Sequence, residues 1–219
     1  MSRRTRIVVP GLPHHVTQRG NYKQNVFEED SDFRRYAYLF AEDSLRYKVK
    51  TLAYCLMKNH VHFILVPQDS NGMARLFSKV HMQYSQYMNR KKDKKGHLWQ
   101  GRFYSCVMSW DHLYRAVRYV ERNPVRAGMV VNPWEYPWSS AKQHIGKDID
   151  PIIRAEAPEA VIEGGGLMRG DSWIAYLAEE DERCQDLIRK TTGKGLAFGS
   201  EDFIRGLETS SGLTIKRLK

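Results

Sequence analysis

The feature that most constrains this 219-residue chain is a pair of apolar stretches, 51–57 and 60–66, separated by only two polar residues. This pattern predicts a β-hairpin whose second strand begins at the run His60-Val61-His62. Because successive strand side chains point to opposite faces, His60 and His62 share one face of the predicted sheet. The opposite face then carries Val61, Phe63 and Leu65.

The two histidines admit two interpretations. Two imidazoles placed two residues apart on a rigid strand can chelate one divalent metal ion. A pair of hydrogen-bonded histidines near a strand end would show the same spacing, and the short motif by itself does not separate the two.

Positive charge is concentrated in one part of the chain. Residues 1–150 contain 25 Lys and Arg against 13 Asp and Glu, a net charge of +12. Residues 151–219 contain 10 against 12, a net charge of −2. A basic excess of this size favours an acidic polymer as partner, most often nucleic acid, although a basic surface without a partner is the alternative.

Cysteine usage and hydropathy indicate a cytoplasmic protein. The three cysteines are far apart and form no C-x-x-C pair, which argues against structural zinc or a disulfide framework. No apolar run approaches the length that crosses a membrane, so we expect a soluble protein with no membrane partner.

The elements around the hairpin follow the order β-α-β-β-α-β. Besides the hairpin, the predicted elements are a strand over 14–19, a helix capped by Ser31 or Asp30 that runs to about Arg46, a helix over 73–89 and a strand over 103–109. This order predicts an α+β fold of the ferredoxin-like kind, an antiparallel sheet with two helices on one face. A further helix over 111–123, stopped by Pro124, would cover the histidine face.

Two regions are expected. Residues 1–145 form the main domain, and residues 146–219 form a linker with a small helical C-terminal extension. Within the extension, 151–170 has linker composition, and helices are predicted over 171–190 and 200–208.

The added helix carries an unusual tyrosine. Tyr119 and Asn123 are four residues apart, so both project from one face together with Arg115 and Arg122, opposite the apolar stripe of the helix. Tyr114 lies five residues before Tyr119 and points partly towards that stripe, so we expect Tyr119 to face the histidines. A tyrosine in this setting can act as a covalent nucleophile beside phosphate-binding arginines. An aromatic ring at the edge of the core, with its hydroxyl in water, is the other interpretation.

Four stretches together resemble a known family. They are HVH at 60–62, YVERNPVRAG at 119–128, GLPHHVTQRGN at 11–21 and WQGRF at 99–103. These stretches resemble the single-tyrosine HUH transposases, and most of all the REP-associated tyrosine transposases. The resemblance covers roughly residues 7–140, and the motifs are specific only in combination.

The resemblance implies a ferredoxin-like nuclease core with an added catalytic helix. His60, His62 and Asn123 would bind Mg²⁺ or Mn²⁺, and Tyr119 would attack the scissile phosphate to form a 5′-phosphotyrosine bond. The implied partner is single-stranded DNA with a hairpin, of the repeat extragenic palindrome kind. The protein would act as a monomer or homodimer in the cytoplasm, near the nucleoid.

Basic side chains are the candidates for DNA contact. Besides the helix arginines Arg115 and Arg122, we expect contributions from Arg102 and from a basic loop. The lysines of that loop are Lys91, Lys92, Lys94 and Lys95. A solvated turn is the alternative for the loop.

Two rival functions stay open at this point. The same element order underlies RNA-binding RRM modules, but their RNP signature is missing and histidines occupy the exposed strand face. A metal-dependent hydrolase using water would leave Tyr119 with a purely structural role. Covalent attachment of the protein to nicked DNA would separate the three functions.

Overall fold

The computed structural model describes residues 6–153, 170–212 and 214–216. Most of the predicted linker over 151–170 lies outside the described residues. Within the described residues, no helix has the length and apolar character needed to cross a membrane.

A five-stranded, mostly antiparallel sheet forms the centre of this mixed α+β fold. Its strands are β1 His14–Arg19, β2 Val49–Met57, β3 His60–Pro67, β4 Tyr104–Met108 and β5 Ala197–Phe198. The order across the sheet is β2-β3-β1-β4-β5, and only β5 pairs parallel to its neighbour. The predicted hairpin is confirmed as β2 and β3, and the C-terminal strand β5 was not predicted because two residues are too short to show a pattern.

Eight α-helices lie within the described residues. They are α1 Asp30–Arg46, α2 Gly72–Lys91, α3 Leu113–Glu121, α4 Asn123–Arg126, α5 Ala141–His144, α6 Asp171–Ala178, α7 Glu182–Lys194 and α8 Glu201–Ser211. The predicted cap of α1 at Asp30 or Ser31 was wrong. Glu29 occupies that position and forms a reciprocal capping box with Asp32, whose carboxylate accepts from the Glu29 backbone N–H.

The sheet is covered on both faces. Helices α1 and α2 pack in one core with Val61, Phe63 and Leu65, as the strand alternation predicts. Helix α3 packs in a second core on the opposite face, with Ile64 and Val66. The histidine face of β3 is therefore the face that α3 covers.

The helix predicted over 111–123 is divided. A 3-10 turn at Trp110–His112 precedes α3, the chain bends at Arg122, and α4 continues with Pro124 in its first turn. The prediction that Pro124 stops the helix at Asn123 was wrong. Proline lacks an N–H, but the first turn of a helix has no partner for that N–H, so Pro124 fits where a new helix begins.

The C-terminal helices pack onto the same core as α3. The single helix predicted over 171–190 is instead α6 and α7, separated at residues 179–181, and Asp181 caps α7 through a bond from the Cys184 N–H. Trp173 of α6 is completely buried in the α3 core. Its indole N–H donates to the buried carboxylate of Glu121, at 2.8 Å.

Candidate active site

A cleft of about 560 Å³ opens on the histidine face of the sheet. It lies where β1, β3, α3, α4 and α7 meet. Its lining includes the predicted residues His60, His62, Tyr119 and Asn123, and also His15, Arg126 and Thr192. Side chains from His15 to Thr192, 177 residues apart in the sequence, are thus brought to one site.

The strand β3 positions the two histidines next to each other. The ring centroids of His60 and His62 are 5.0 Å apart, and their planes are nearly perpendicular. The Nδ1 atom of His60 hydrogen-bonds the amide oxygen of Asn59 at 2.6 Å, and the Nδ1 atom of His62 hydrogen-bonds His15 Nε2 at 2.9 Å. Neither Nε2 atom has a hydrogen-bond partner in the described part of the chain, which leaves one nitrogen of each ring for a ligand.

Burial keeps these imidazoles neutral. Desolvation lowers the pKa of His60 to about 4 and that of His15 to about 3, and it lowers the pKa of His62 well below its usual value. The nearby positive charge of Arg126 acts in the same direction at all three rings. Neutral imidazole is the form that binds metal ions, so the rings are ready to ligate at neutral pH.

Helix α3 directs Tyr119 at the histidines. The Tyr119 ring meets His15 and His62 edge-on, with centroid distances of 5.4 and 5.8 Å. Only 6% of the residue is exposed, so the expectation of a tyrosine on a polar face away from the core is wrong. The C-terminal helices cover this face of α3, which the local sequence could not indicate. Tyr114 points elsewhere and lies 6.4 Å from the ring of Trp173.

Asn123 lies where α3 gives way to α4. Its amide nitrogen donates to the carbonyls of Tyr119 and Val120, at 3.2 and 2.9 Å. These two bonds orient the side chain and use its donors, so the amide oxygen remains as an acceptor or metal ligand.

Arg126 is a site residue that the sequence analysis missed. Its guanidinium lies 4.4 Å from the centroid of the Tyr119 ring and donates to the Tyr119 carbonyl at 2.9 Å. Its Nη1 atom is buried without a hydrogen-bond partner within the described residues. The i+7 spacing from Tyr119 was the available signal, but the assumed helix stop at Pro124 hid it.

The arginines predicted to contact DNA differ in their surroundings. Arg115 is exposed. Arg122 is buried, and its guanidinium donates to the Leu177 carbonyl and to Glu180. Arg118, which was not predicted, pairs with Glu179 at 2.9 Å. The acidic segment between α6 and α7 thus neutralises two arginines beside the cleft.

The predicted lysine loop is also heterogeneous. Lys91 pairs with buried Asp32 at 2.7 Å, and Lys92 pairs with Glu28 at 2.7 Å. Lys94 and Lys95 are exposed and have no ion pair among the described residues. Arg102 is exposed as well and lines a neighbouring groove of about 340 Å³ with Arg6 and Lys194.

The residues of the cleft fit a divalent cation with a mixed ligand set. No group of three or more His, Cys, Asp or Glu side chains suited to a metal ion occurs in the described residues. The two free imidazole nitrogens and the Asn123 amide oxygen are, however, ligand types that Mn²⁺ and similar ions accept. In each of these three side chains, the polar atom that would not bind the metal ion forms a hydrogen bond that orients the group. Metal-binding histidines are usually oriented in this way.

Comparisons with known proteins indicate the family of this chain. A family model described as transposase IS200 like matches residues 8–123, a span that includes the two histidines, Tyr119 and Asn123. A protein of Haemophilus influenzae named as a REP-associated tyrosine transposase is 25% identical over 135 residues, 54% of this chain and 73% of the relative. A solved structure of a REP-associated tyrosine transposase bound to a REP hairpin matches with a TM-score of 0.56 and 19% identity. That match covers 72% of this chain and 93% of the other, and it supports the fold described above.

Proposed function

This chain belongs to the IS200-like transposase family and has a transposase-like, DNA-cleaving function, and we propose that Tyr119 performs the cleavage with a divalent metal ion. One observation carries the proposal. His60, His62, Tyr119 and Asn123, from three different elements, line a single cleft.

The proposed reaction is a phosphoryl transfer to tyrosine. The Tyr119 hydroxyl oxygen attacks the scissile phosphorus, the bond to the 3′ oxygen breaks, and the products are a 5′-phosphotyrosine and a free 3′-hydroxyl. Attack by the same 3′-hydroxyl reverses the step, and attack by another 3′-hydroxyl joins the strand to a new end and releases Tyr119. Neither reaction needs ATP, because the phosphotyrosine bond conserves the energy of the broken bond. When bound, the cation supplies Lewis-acid polarisation of the phosphate.

The side chains around Tyr119 serve distinct roles in this proposal. His60, His62 and Asn123 hold the cation. Arg126 presents an unpaired, buried guanidinium N–H beside the tyrosine, where it can bind a phosphate oxygen and stabilise the developing charge. Imidazole ligands favour Mn²⁺ over Mg²⁺, so the abundance of Mg²⁺ in the cell would decide which ion is used.

We further propose that residues 1–145 form the catalytic domain around a ferredoxin-like core. The element order β-α-β-β-α-β and the placement of α1 and α2 on one face support that assignment. Residues 146–219 then form an extension that completes the wall of the cleft through α7, since Thr192 lies in its lining.

The proposed substrate is single-stranded DNA that carries a hairpin, bound near the nucleoid. The net charge of +12 over residues 1–150 supplies the electrostatic attraction. The REP hairpin bound by the structurally similar transposase suggests the form of the DNA. The cleft lies within one chain, so a monomer suffices for the chemistry proposed here.

The decisive experiment separates this function from both rivals. Hairpin oligonucleotides with unpaired flanks are incubated with the protein and Mn²⁺, one set labelled at the 3′ end and one at the 5′ end. We expect the 3′ label on the protein in a denaturing gel and the 5′ label on a shorter free fragment. EDTA, or alanine at both His60 and His62, should abolish both products.

The rivals predict different gels. A hydrolase would release both labelled fragments with no label on the protein. An RRM-like module would bind the oligonucleotide and leave it uncut. Cleavage that persists in EDTA would contradict the proposed metal site.

A further inference from the structure

A buried chain of hydrogen bonds connects the candidate site to the C-terminal extension. His62 Nδ1 lies 2.9 Å from His15 Nε2, and His15 Nδ1 lies 2.7 Å from the hydroxyl oxygen of Thr192. His15 belongs to β1, His62 to β3 and Thr192 to α7. The chain thus joins three elements that are remote in the sequence.

The chain is shielded from water and geometrically well defined. His15 and Thr192 are each 1% exposed and His62 is 6% exposed. The two imidazole planes are 5° from parallel and their centroids are 5.2 Å apart, an arrangement that suits an in-plane N–H···N hydrogen bond. A buried hydrogen-bonding group left without a partner is costly, so each member of the chain is constrained by the next.

The direction of these hydrogen bonds depends on which atom receives the proton of the Thr192 hydroxyl. Burial raises the pKa of the Cys106 thiol, and a hydrogen bond from the Thr192 side chain partly offsets that rise. The S–H of Cys106 itself points to the Val107 carbonyl, which leaves its sulfur as an acceptor. With the hydroxyl proton directed at the sulfur, Thr192 would accept from His15 Nδ1–H. His15 Nε2 would then be an acceptor, and His62 would donate through Nδ1–H.

This direction has a consequence for the site. With its proton on Nδ1, His62 carries a lone pair on Nε2, the nitrogen that a metal ion would use. His60 reaches the same tautomer by a local route, since its Nδ1 donates to the Asn59 amide oxygen at 2.6 Å. His62 has no such neighbour in sequence and depends on His15 and Thr192.

We propose that His15 and Thr192 are positioning residues that hold His62 in the Nδ1-protonated tautomer and so prepare its Nε2 for the metal ion. This role rests on the proposed function of His62 as a ligand. It also assigns a task to the C-terminal extension, whose sequence shows no chemical motif.

The variant Thr192→Val tests the far end of the hydrogen-bond chain with little change in side-chain shape. The His15 Nδ1–H would lose its acceptor, which favours the His15 tautomer with the proton on Nε2. That proton would be donated to His62 Nδ1, and His62 would then carry its own proton on the ligand nitrogen. We expect Mn²⁺ affinity to fall about 10–100-fold, the range typical for loss of such an outer hydrogen bond.

The neighbouring residue Thr191 provides a matched control. Thr191 is equally buried on the same helix, but its hydroxyl donates to the Leu187 carbonyl at 2.6 Å. Thr191→Val should bind Mn²⁺ like the unaltered protein, and Thr192→Ser should as well, because it keeps the hydroxyl. His15→Phe keeps an aromatic ring without the acceptor and should weaken binding like Thr192→Val.

Two readouts on the DNA-free protein decide the matter. The first is Mn²⁺ affinity from the EPR signal of free Mn²⁺, and the second is the His62 tautomer from ring ¹⁵N shifts without metal. Unchanged affinity and an unchanged tautomer in Thr192→Val would overturn the positioning role. If His62→Ala keeps full Mn²⁺ affinity, the ligand role in the proposed function fails. If His62→Ala loses affinity and Thr192→Val does not, the ligand role stands and only the positioning role fails.

Discussion

The guanidinium of Arg126 lies over the ring of Tyr119, 4.4 Å from its centroid, and also donates to the Tyr119 backbone carbonyl. These contacts place a cation beside the proposed nucleophile and hold its ring through the π face rather than through the hydroxyl. The ring can therefore keep its position when the hydroxyl is removed.

Tyr119→Phe is expected to abolish the covalent protein–DNA adduct while preserving the fold. The ring contacts with Arg126 and the histidines remain, so the free energy of unfolding should change by less than about 1 kcal/mol. Denaturing gels with labelled DNA measure the adduct, and thermal unfolding measures stability. Tyr114→Phe is the control and should still cleave, whereas an adduct mapped to any tyrosine other than Tyr119 would refute the assignment.

The lysine loop should act through only two of its four lysines. Lys94 and Lys95 are free of ion pairs among the described residues, so changing both to Gln should reduce the slope of log affinity against log salt by up to about 1.4 for single-stranded DNA. Changing Lys91 and Lys92 to Gln is the matched comparison. It should mainly lower stability, because it leaves the buried Asp32 carboxylate without its cation. If both double variants reduce the slope of log affinity against log salt equally, the proposed difference between the two pairs of lysines is wrong.

Arg122 should matter for stability more than for DNA affinity. Replacing it with Met would leave the Leu177 carbonyl without its buried donor, and we expect a loss of about 2 kcal/mol in the free energy of unfolding. The exposed Arg115 offers the opposite case, since Arg115→Met should weaken DNA binding and leave stability nearly unchanged. Urea unfolding measures the stability of both variants, and binding titrations measure their DNA affinity. A loss of stability in Arg115→Met but not in Arg122→Met would contradict these two roles.

Mild acid should destabilise the protein. His14 is fully buried, accepts the Val9 N–H through Nε2, and has a pKa lowered by burial to about 4. Between an unfolded pKa of about 6.5 and the folded value, only the unfolded chain binds the proton, so stability falls as pH falls.

The acid effect can be measured histidine by histidine. Each such histidine contributes a slope of up to about 1.4 kcal/mol per pH unit in that window. His14→Gln should therefore flatten the dependence of the unfolding free energy on pH between about 6 and 4. If the free energy of unfolding of the unaltered protein is constant from pH 7 to pH 4, the buried histidines do not take up protons when the protein unfolds, and the prediction is wrong.

Trp173→Phe should weaken the whole molecule rather than the extension alone. It removes the indole N–H from the buried Glu121 carboxylate, which keeps its bonds from Ser140 and His144. We expect a loss of about 1–3 kcal/mol. Circular dichroism and fluorescence should still report one common transition, while separate transitions would mean that residues 171–219 unfold independently.

Trp134 offers the matched indole. It is only half buried, and its ring N–H has no hydrogen bond within the described residues. Trp134→Phe should therefore change the free energy of unfolding by less than Trp173→Phe does.

The sequence by itself determined the hairpin, the face of the histidines and the helix that carries Tyr119. Local periodicity sets which side chains share a face of a strand or helix, and this information needs no distant residue. It predicted that Val61, Phe63 and Leu65 face one core and that the added helix covers the histidines. It also selected Tyr119 rather than Tyr114, and Tyr119 is the one that contacts His62.

Only the tertiary structure decided which charges are free and which side chains support the site. Arg122 and Lys91 appear as available cations in the sequence, but Glu180 and Asp32, at distances of 58 and 59 residues along the chain, pair with them. Thr192 reaches His15 across 177 residues. Ion pairs and buried hydrogen bonds form between groups that folding brings together, so a local sequence pattern cannot predict them.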